Sequence, residues 1–435
     1  MLDEERKYKK YIEDHLLESK KSALNTTLKI QRSELNAGGA NYTRTLQIPK
    51  FFTQEDKCNF EKIVKKTYAI FTKVIEAYRK DIKIRQLFPF SKELEELILL
   101  KPRYEVPIPI CRVDIFYDEE TKEFSFCEFN TDGTSAMNEN KRLYDFLSLN
   151  NVYKHFDEEY EYLELVDAWV KAFMETCKKA NLSAYRIGIV DFLDKAYLSE
   201  LYVFERVFKE RGIECEVVDI RDLDYKNHKL VSKNTKMPID VIYRRAVTKD
   251  VMDHYEEIQP FIQAVKEEAV CLIGAFQTQL VHHKDISQVL MHPYMQTYLS
   301  KEEVQFLKRH LPATYDLNKS IVDSLLMDKN HWIIKPKDSY AAKGVWAGVD
   351  LNENEWKRVV EDSLSYDYIA QVYIPPYKSL NIDLVNYDTF QLYSNLTGLY
   401  VYNGEFKGVY SRMSDSGIIS TQYNEKTVPT LFLKD

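Results

Sequence analysis

No apolar run in this chain approaches the length of a membrane span. The N-terminal stretch MLDEERKYKKYIEDHLLESKK is charged and has no apolar h-region, so a secretory leader is not expected. The six cysteines (Cys58, Cys111, Cys127, Cys177, Cys215 and Cys271) form no C-x-x-C pair, and most sit in apolar runs. Disulfides and zinc are therefore not expected; free thiols in a reducing compartment, the cytoplasm, are. There is no G-x-x-x-x-G-K-[ST] loop and no G-x-G-x-x-G around Gly188, which removes a Walker A site and leaves a dinucleotide fold unsupported. Neither internal repeats nor low-complexity segments occur. Positive charge is not in excess: 60 Lys and Arg against 68 Asp and Glu give −8 and a pI near 5.8. General attraction to nucleic acid or to an anionic membrane is excluded, while a cationic amine is tolerated. What remains is a 435-residue chain, 45% hydrophobic and 29% charged, the profile of an ordinary globular protein. As a prior, its length suits about three domain-sized units.

The stretch that organises the chain is CRVDIFYDEETKEFSFCEFNTDGTSAM, Cys111 to Met137. Two runs alternating with period two flank a charged link, Glu119 to Glu123, which is a hairpin pattern. Residues two apart share a strand face, so Arg112 and Asp114 point one way, as do Glu128 and Asn130. With Asp114 opposite Glu128, Arg112 lies opposite Asn130, and Val113, Ile115, Cys127 and Phe129 face a core. Two carboxylates and an amide oxygen are hard ligands suited to Mg²⁺ with substrate phosphates, and the arginine offers a planar fork to a phosphoryl group. The plainer alternative is the solvated face of a hairpin. Thr131-Asp-Gly-Thr134-Ser135 follows as a hydroxyl-rich turn before a helix from about Asn138, a turn that offers N–H groups to an anion.

Elsewhere, residues 3 to about 24 read as an exposed, charge-laced helix, followed by a loop at Asn36–Gly39. Thr53 caps a long helix whose apolar stripe from Phe60 to Tyr78 is packing. A helix runs from Ser91 to Lys101, and helical pattern recurs from about Glu158 to Ala180. Arg186–Asp191, Glu214–Ile220, Pro238–Tyr243 and Ala269–Ile273 read as strands of a parallel βαβ layer, with a helix from Ser199 to Arg211. Arg244 and Arg245 after the third strand either grip a substrate carboxylate or form a surface pair. His331-Trp-Ile-Ile-Lys335-Pro leads through small residues to Lys343-Gly344 and a further strand, a loop fit to cover phosphates. Tyr368–Ile374 is a strand ended by Pro375-Pro376, suited to a hinge. Phe390–Ser394, Leu399–Asn403, Phe406–Arg412 and Ile418–Thr421 complete a β-rich end, with a hairpin turn at Asn403-Gly404.

Together, R-x-D at Arg112 and Asp114, E-x-N at Glu128 and Asn130, T-D-G-T-S, I-I-K-P ending in Lys335, Lys343-Gly344, I-A-Q-V-Y holding Gln371, and G-V-Y-S-R ending in Arg412 resemble the ATP-grasp ligases. The likeness is to the circularly permuted branch typified by the synthetase half of glutathionylspermidine synthase, because the phosphate lysines follow the metal carboxylates. The resemblance implies an α/β (α+β) ATP-grasp fold. Its parts would be a helical N-terminal region over 1–100 and the first part of the C-lobe over 101–182. A βαβ pre-ATP-grasp-like domain over 183–300, a lid lobe over 301–378 and the rest of the C-lobe over 379–435 follow.

It implies that Asp114, Glu128 and Asn130 hold Mg²⁺, two ions in all, and that Arg112 steadies the transferring phosphoryl group. Arg412 would sit near phosphate or acyl substrate. Lys284 and Lys335 would contact ATP phosphates, the loop from Lys337 to Lys343 and Gly344 would close over them, and Gln371 and Tyr373 would meet adenine. Thr134 and Ser135 would lie beside the reacting carboxylate. The implied activity is ligation of a small-molecule or peptide carboxylate to an amine through an acyl phosphate. A small-molecule kinase and a catalytically silent nucleotide-binding protein are the alternatives. The cysteine amidase domain of the bifunctional family enzymes has no counterpart here, so hydrolysis of the product is not expected.

Overall fold

In the computed structural model, which describes residues 1–36, 42–156, 160–339, 343–420 and 425–434, the longest helix runs from Gln54 to Lys80. The Thr53 hydroxyl accepts from Asp56 N (3.2 Å), and the Asp56 carboxylate accepts from Thr53 N (2.9 Å). This reciprocal cap satisfies two of the donors that a helix start leaves open. Asp56 also receives Tyr117 Oη (2.6 Å) and Lys122 Nζ (2.7 Å), which ties the helix start to the far end of the hairpin.

The hairpin pairs Ile110–Tyr117 with Phe124–Asn130 in the expected register, Arg112 opposite Asn130 and Asp114 opposite Glu128. The pairing then slips, so that Ile115 faces Phe126. Cys127 is the extra residue of this bulge and does not point into the core as the alternation implied; it lines a cleft instead. The hairpin is one edge of a six-stranded antiparallel sheet. Its path runs Lys426–Val428, Glu405–Ser414, Gln391–Tyr402, Ile110–Tyr117, Phe124–Asn130, with Lys378–Asn381 also pairing with Gln391–Tyr402. The sheet thus joins two stretches of chain, 110–130 and 378–428. Under it, Val113, Ile115 and Phe129 pack on Phe71, Val74 and Ile75 of the long helix.

The βαβ expectation is met by a parallel sheet in the order Cys271–Ile273, Val241–Arg244, Ile187–Asp191, Cys215–Asp219, with the helix Leu198–Glu210 between two of its strands. A separate small antiparallel sheet pairs Thr314–Asp316, Tyr368–Val372, Trp332–Pro336 and Trp346–Ala347. It has its own core around buried Trp356, whose Nε1 donates to Leu325 O (2.9 Å).

Several expectations change. The N-terminal segment is two helices, Asp3–Asp14 and Leu16–Gln31, separated at His15. One side of it is not exposed: Tyr8, Ile12 and Ala23 pack on Leu147, Val152 and Ile382. The helix expected from Glu158 begins at Leu165, where Glu164 caps two N–H groups. Residues 390–394 and 399–403 belong to one strand, Gln391–Tyr402. Its polar and small middle, Asn395, Thr397 and Gly398, broke the apolar pattern: Gly398 faces the charged side of Asp114, and Asn395 is bonded to Ser379 of the neighbouring strand (3.0 Å). Ile418–Ser420 is not a strand, and Thr421 lies outside the described residues. So does most of the loop at 36–39. Arg244 and Arg245 are not a surface pair: both are buried, bound to Asp132 (2.5 Å) and Glu200 (2.9 Å). Among the described residues no helix is long and apolar enough to cross a membrane.

Candidate functional site

The upper face of the large sheet gathers charges that the chain order separates. Arg112 donates to the carboxylate of Asp114 through Nε (2.7 Å) and Nη2 (3.1 Å). Asp114 Oδ2 also accepts from Asn130 Nδ2 (3.0 Å) and from Arg412 Nη2 (2.5 Å). Arg412 lies two strands away, and the intervening strand must leave it room. That strand presents Gly398 opposite Asp114. A Cβ there would sit 2.8 Å from Arg112 Cδ and 2.9 Å from Asp114 Oδ1. Gly398 is therefore the gap through which two arginines share one fully buried carboxylate. Arg412 continues to Glu425 (3.6 Å), and Arg112 Nη1 reaches Ser135 O (3.3 Å), which also accepts from Tyr400 Oη (2.5 Å). The Thr134 hydroxyl bonds back to Asn130 O (2.8 Å).

Glu128 has a different setting. Burial pushes its pKa up, but the ammonium groups of Lys284 and Lys335, then Arg412 and Arg112, outweigh burial and hold it at about 2. The two lysines come from separate parts of the chain. Lys335, at the end of a small-sheet strand, donates to Gln371 Oε1 (2.8 Å), and Gln371 Nε2 donates to Thr314 Oγ1 (2.9 Å), so Gln371 orients Lys335. Lys284 donates to Ser339 O (2.9 Å) in the loop after that strand. Burial lowers its pKa, against the pull of Glu128.

These groups line one cleft of about 720 Å³ between the hairpin and the small sheet. It is lined by Glu128, Lys284 and Lys335 and by the apolar side chains of Phe116, Phe126, Ile333, Leu396 and Ile418. Tyr373 also lines the cleft, packed against Val345 and Ile418, its hydroxyl donating to Gly417 O (3.3 Å). An apolar lining with a few converging charges is the usual form of a small-ligand site. Lys343 is exposed at the rim, and Ser339 Oγ donates to Lys343 O (3.0 Å) across the neck of its loop. Gly344 has φ +73°, and a Cβ on it would lie 2.5 Å from Tyr368 Oη. The part of the expected covering loop at 340–342 lies outside the described residues.

Glu128 and the Asn130 amide suit a Mg²⁺ ion that takes its remaining ligands from phosphate and water. Asp114, expected beside them, has both oxygens on arginines. Among the described residues no group of three or more His, Cys, Asp and Glu is arranged to hold a metal.

Gly398, Tyr400, Glu139 and Glu425 were missed from the sequence. A glycine inside a strand pattern was the one available signal, since it often marks a close approach. Glu139 and Glu425 are joined to Arg412 only by the fold. Glu139 accepts from Tyr410 Oη (3.0 Å) and Thr427 Oγ1 (3.1 Å), and burial with Glu425 nearby raises it to about 7.

No protein-family model and no curated protein matches this chain. Among solved structures it is similar to a glutathione synthetase-like effector from Globodera pallida, at 11% identity and a TM-score of 0.61 over 97% of each chain. It is also similar to a D-alanyl-alanine synthetase A from Vibrio cholerae, at 12% identity and a TM-score of 0.34, over 57% of this chain and 74% of that one. The first of these likenesses extends over nearly the whole length, and it shows that this mixed α/β chain shares its fold with that glutathione synthetase-like effector.

Proposed function

We propose that this protein is an ATP- and Mg²⁺-dependent ligase that joins a carboxylate to an amine through an acyl phosphate, on a circularly permuted ATP-grasp fold. The observation that carries the reading is the half-buried Glu128 lining one cleft with Lys284, Lys335 and a set of apolar side chains. A scaffold protein has no use for such a cluster, whereas a triphosphate with its base among those apolar side chains matches it.

A carboxylate is a poor electrophile for an amine in water. Transfer of the γ-phosphoryl group makes it an acyl phosphate, and the protein's task is to hold anions in line and neutralise charge. Lys284 and Lys335 would take the phosphates, with Lys343 and Gly344 in the loop that closes over them. Gln371 keeps Lys335 aimed, and Tyr373 borders the base. Glu128 and Asn130 would hold Mg²⁺, while Asp114, expected with them, is taken up by the arginines; the ion would supply charge neutralisation on the phosphates. Arg112 and Arg412, fixed by Asp114, would face the transferring group, and Thr134 and Ser135 the acid.

The test is an ADP-release screen of carboxylates crossed with amines, with products read by mass spectrometry. ADP that requires both partners, with an amide of matching mass, is expected. ADP with one partner and a phosphorylated product would make the protein a kinase. Mg-ATP binding with no ADP from any pair would make it a silent nucleotide binder.

A further inference from the structure

The short helix Gln279–His282 packs against the second hairpin strand and the long helix. On one side Thr131 Oγ1 of the T-D-G-T-S turn donates to Thr278 O (2.8 Å) at its start. On the other, Gln279 Nε2 donates to Asp338 Oδ2 (3.4 Å) in the loop after Lys335. A carboxylate only accepts, so this bond fixes the amide: its NH₂ faces Asp338 and its oxygen faces away. Gln279 is 0% exposed, and its Oε1 has no hydrogen-bond partner among the described residues. His282, three residues on and so on the same helix face, has a buried Nδ1 that likewise lacks one. Gln279 Oε1 and His282 Nδ1 are thus two buried acceptor atoms presented together on one helical turn.

The charges facing His282 come from every neighbour: Asp132 on the turn, Lys284 two residues on, Asp338 in the small-sheet loop and Glu128 on the hairpin. His283 beside it is also buried. Burial pushes the His282 pKa down from 6.5, over the opposing pull of Asp132. The imidazole is thus neutral at pH 7, and a neutral ring has one nitrogen free to accept a proton.

We propose that Gln279 and His282 form the seat of the amine nucleophile, Gln279 Oε1 orienting its N–H and His282 accepting its proton. The proposal rests on the ligase reading. The amine lone pair forms the C–N bond to the acyl carbon, the C–O bond to phosphate breaks, and inorganic phosphate leaves with that electron pair. The proton displaced from nitrogen passes to the imidazole. Acceptor atoms suit this role and not a phosphate, whose oxygens need donors. The site lies between the turn that would hold the acid and the lysines that would hold the phosphates, where the nucleophile must arrive.

The experiment uses the full chain with Mg-ATP and the carboxylate that gives most ADP in the screen. Hydroxylamine, a weakly basic acceptor already unprotonated at neutral pH, is compared with the screen's alkylamines. General-base catalysis typically contributes about 10²–10⁴-fold. His282→Ala and His282→Asn should therefore lose alkylamine transfer at least tenfold more than hydroxylamine transfer, and added imidazole should restore the alanine variant. Gln279→Leu, similar in size and apolar, should raise the alkylamine KM more than that of hydroxylamine. Equal losses with both acceptors, or no loss, in both residues' variants would overturn the assignment while leaving the ligase reading standing. Wild-type silence with every carboxylate would overturn both.

Discussion

Asp114 carries two arginines, and Glu128 answers to two lysines; each single side chain therefore has a measurable consequence. Removing one preorganised charged group from a site that stabilises developing charge typically costs about 10²–10³ in rate. Arg112→Ala and Glu128→Gln should lower ADP release by that factor while circular dichroism and the melting curve keep a folded signature. Near wild-type turnover in either would sink the site. Gly398→Ala places a methyl 2.8 Å from Arg112 Cδ between strands that cannot separate. Overpacking of this kind costs about 1–3 kcal/mol, so urea unfolding should show that loss together with a fall in turnover. Glu139 offers a pH test. Its folded value of about 7 lies above the ordinary 4.5, chiefly through burial. The unfolded chain thus releases this proton first, and the contribution to stability is full below pH 4.5 and lost as pH rises through 7. Glu139→Gln should flatten the decline in melting temperature between about pH 5 and 7. An unchanged slope would show that Glu139 is not the group responsible.

At the scale of elements, the T-D-G-T-S turn is as much an anchor as a binding loop. Asp132 is held by Arg244, and Thr248 N donates to the same carboxylate (2.5 Å). Glu200, which caps the following helix at Asn138 N (3.1 Å), is held by Arg245. Two adjacent arginines at the end of one parallel strand therefore fix both ends of the turn. Breaking a buried pair by removing one partner costs about 3–5 kcal/mol, because a buried charge is left uncompensated. Arg244→Ala should lose that much in urea unfolding, and Arg244→Met combined with Asp132→Leu should recover part of it. If the double variant is no better than the single, the pair is not what holds the turn. These contacts were not legible in the sequence. The pair Arg244-Arg245 read equally as a substrate grip or a surface feature, and its partners lie 112 and 45 residues away. The hairpin's faces, by contrast, were legible, since period-two alternation puts Val113 and Phe129 on the buried side; Asp114 opposite Glu128 was a condition, and the observed register meets it. The bulge at Cys127 was not, because a single unpaired residue leaves no trace in the pattern.

For the whole molecule, the large sheet and the small sheet have separate cores and meet at the cleft. A ligand filling the cleft should tie them together. Hydrogen exchange with a non-hydrolysable ATP analogue and Mg²⁺ should slow in 332–339, in 126–130 and around Lys284 at once, and leave the parallel strand 187–191 unchanged. Protection of only one wall would mean that the cleft does not take the nucleotide.

The sequence by itself determined the long capped helix, the parallel strands, the hairpin's charged face and the lysine at the end of its strand, because periodicity, caps and turns are local and each is decided within a few residues. Only the tertiary structure decided that Lys284 and Lys335 share a cleft with Glu128, that Gly398 lets Arg412 reach Asp114, and that Gln279 Oε1 and His282 Nδ1 lack partners among the described residues. Those facts depend on distances between segments far apart in the chain, and on how much water the packing leaves between them. No residue's identity carries either quantity.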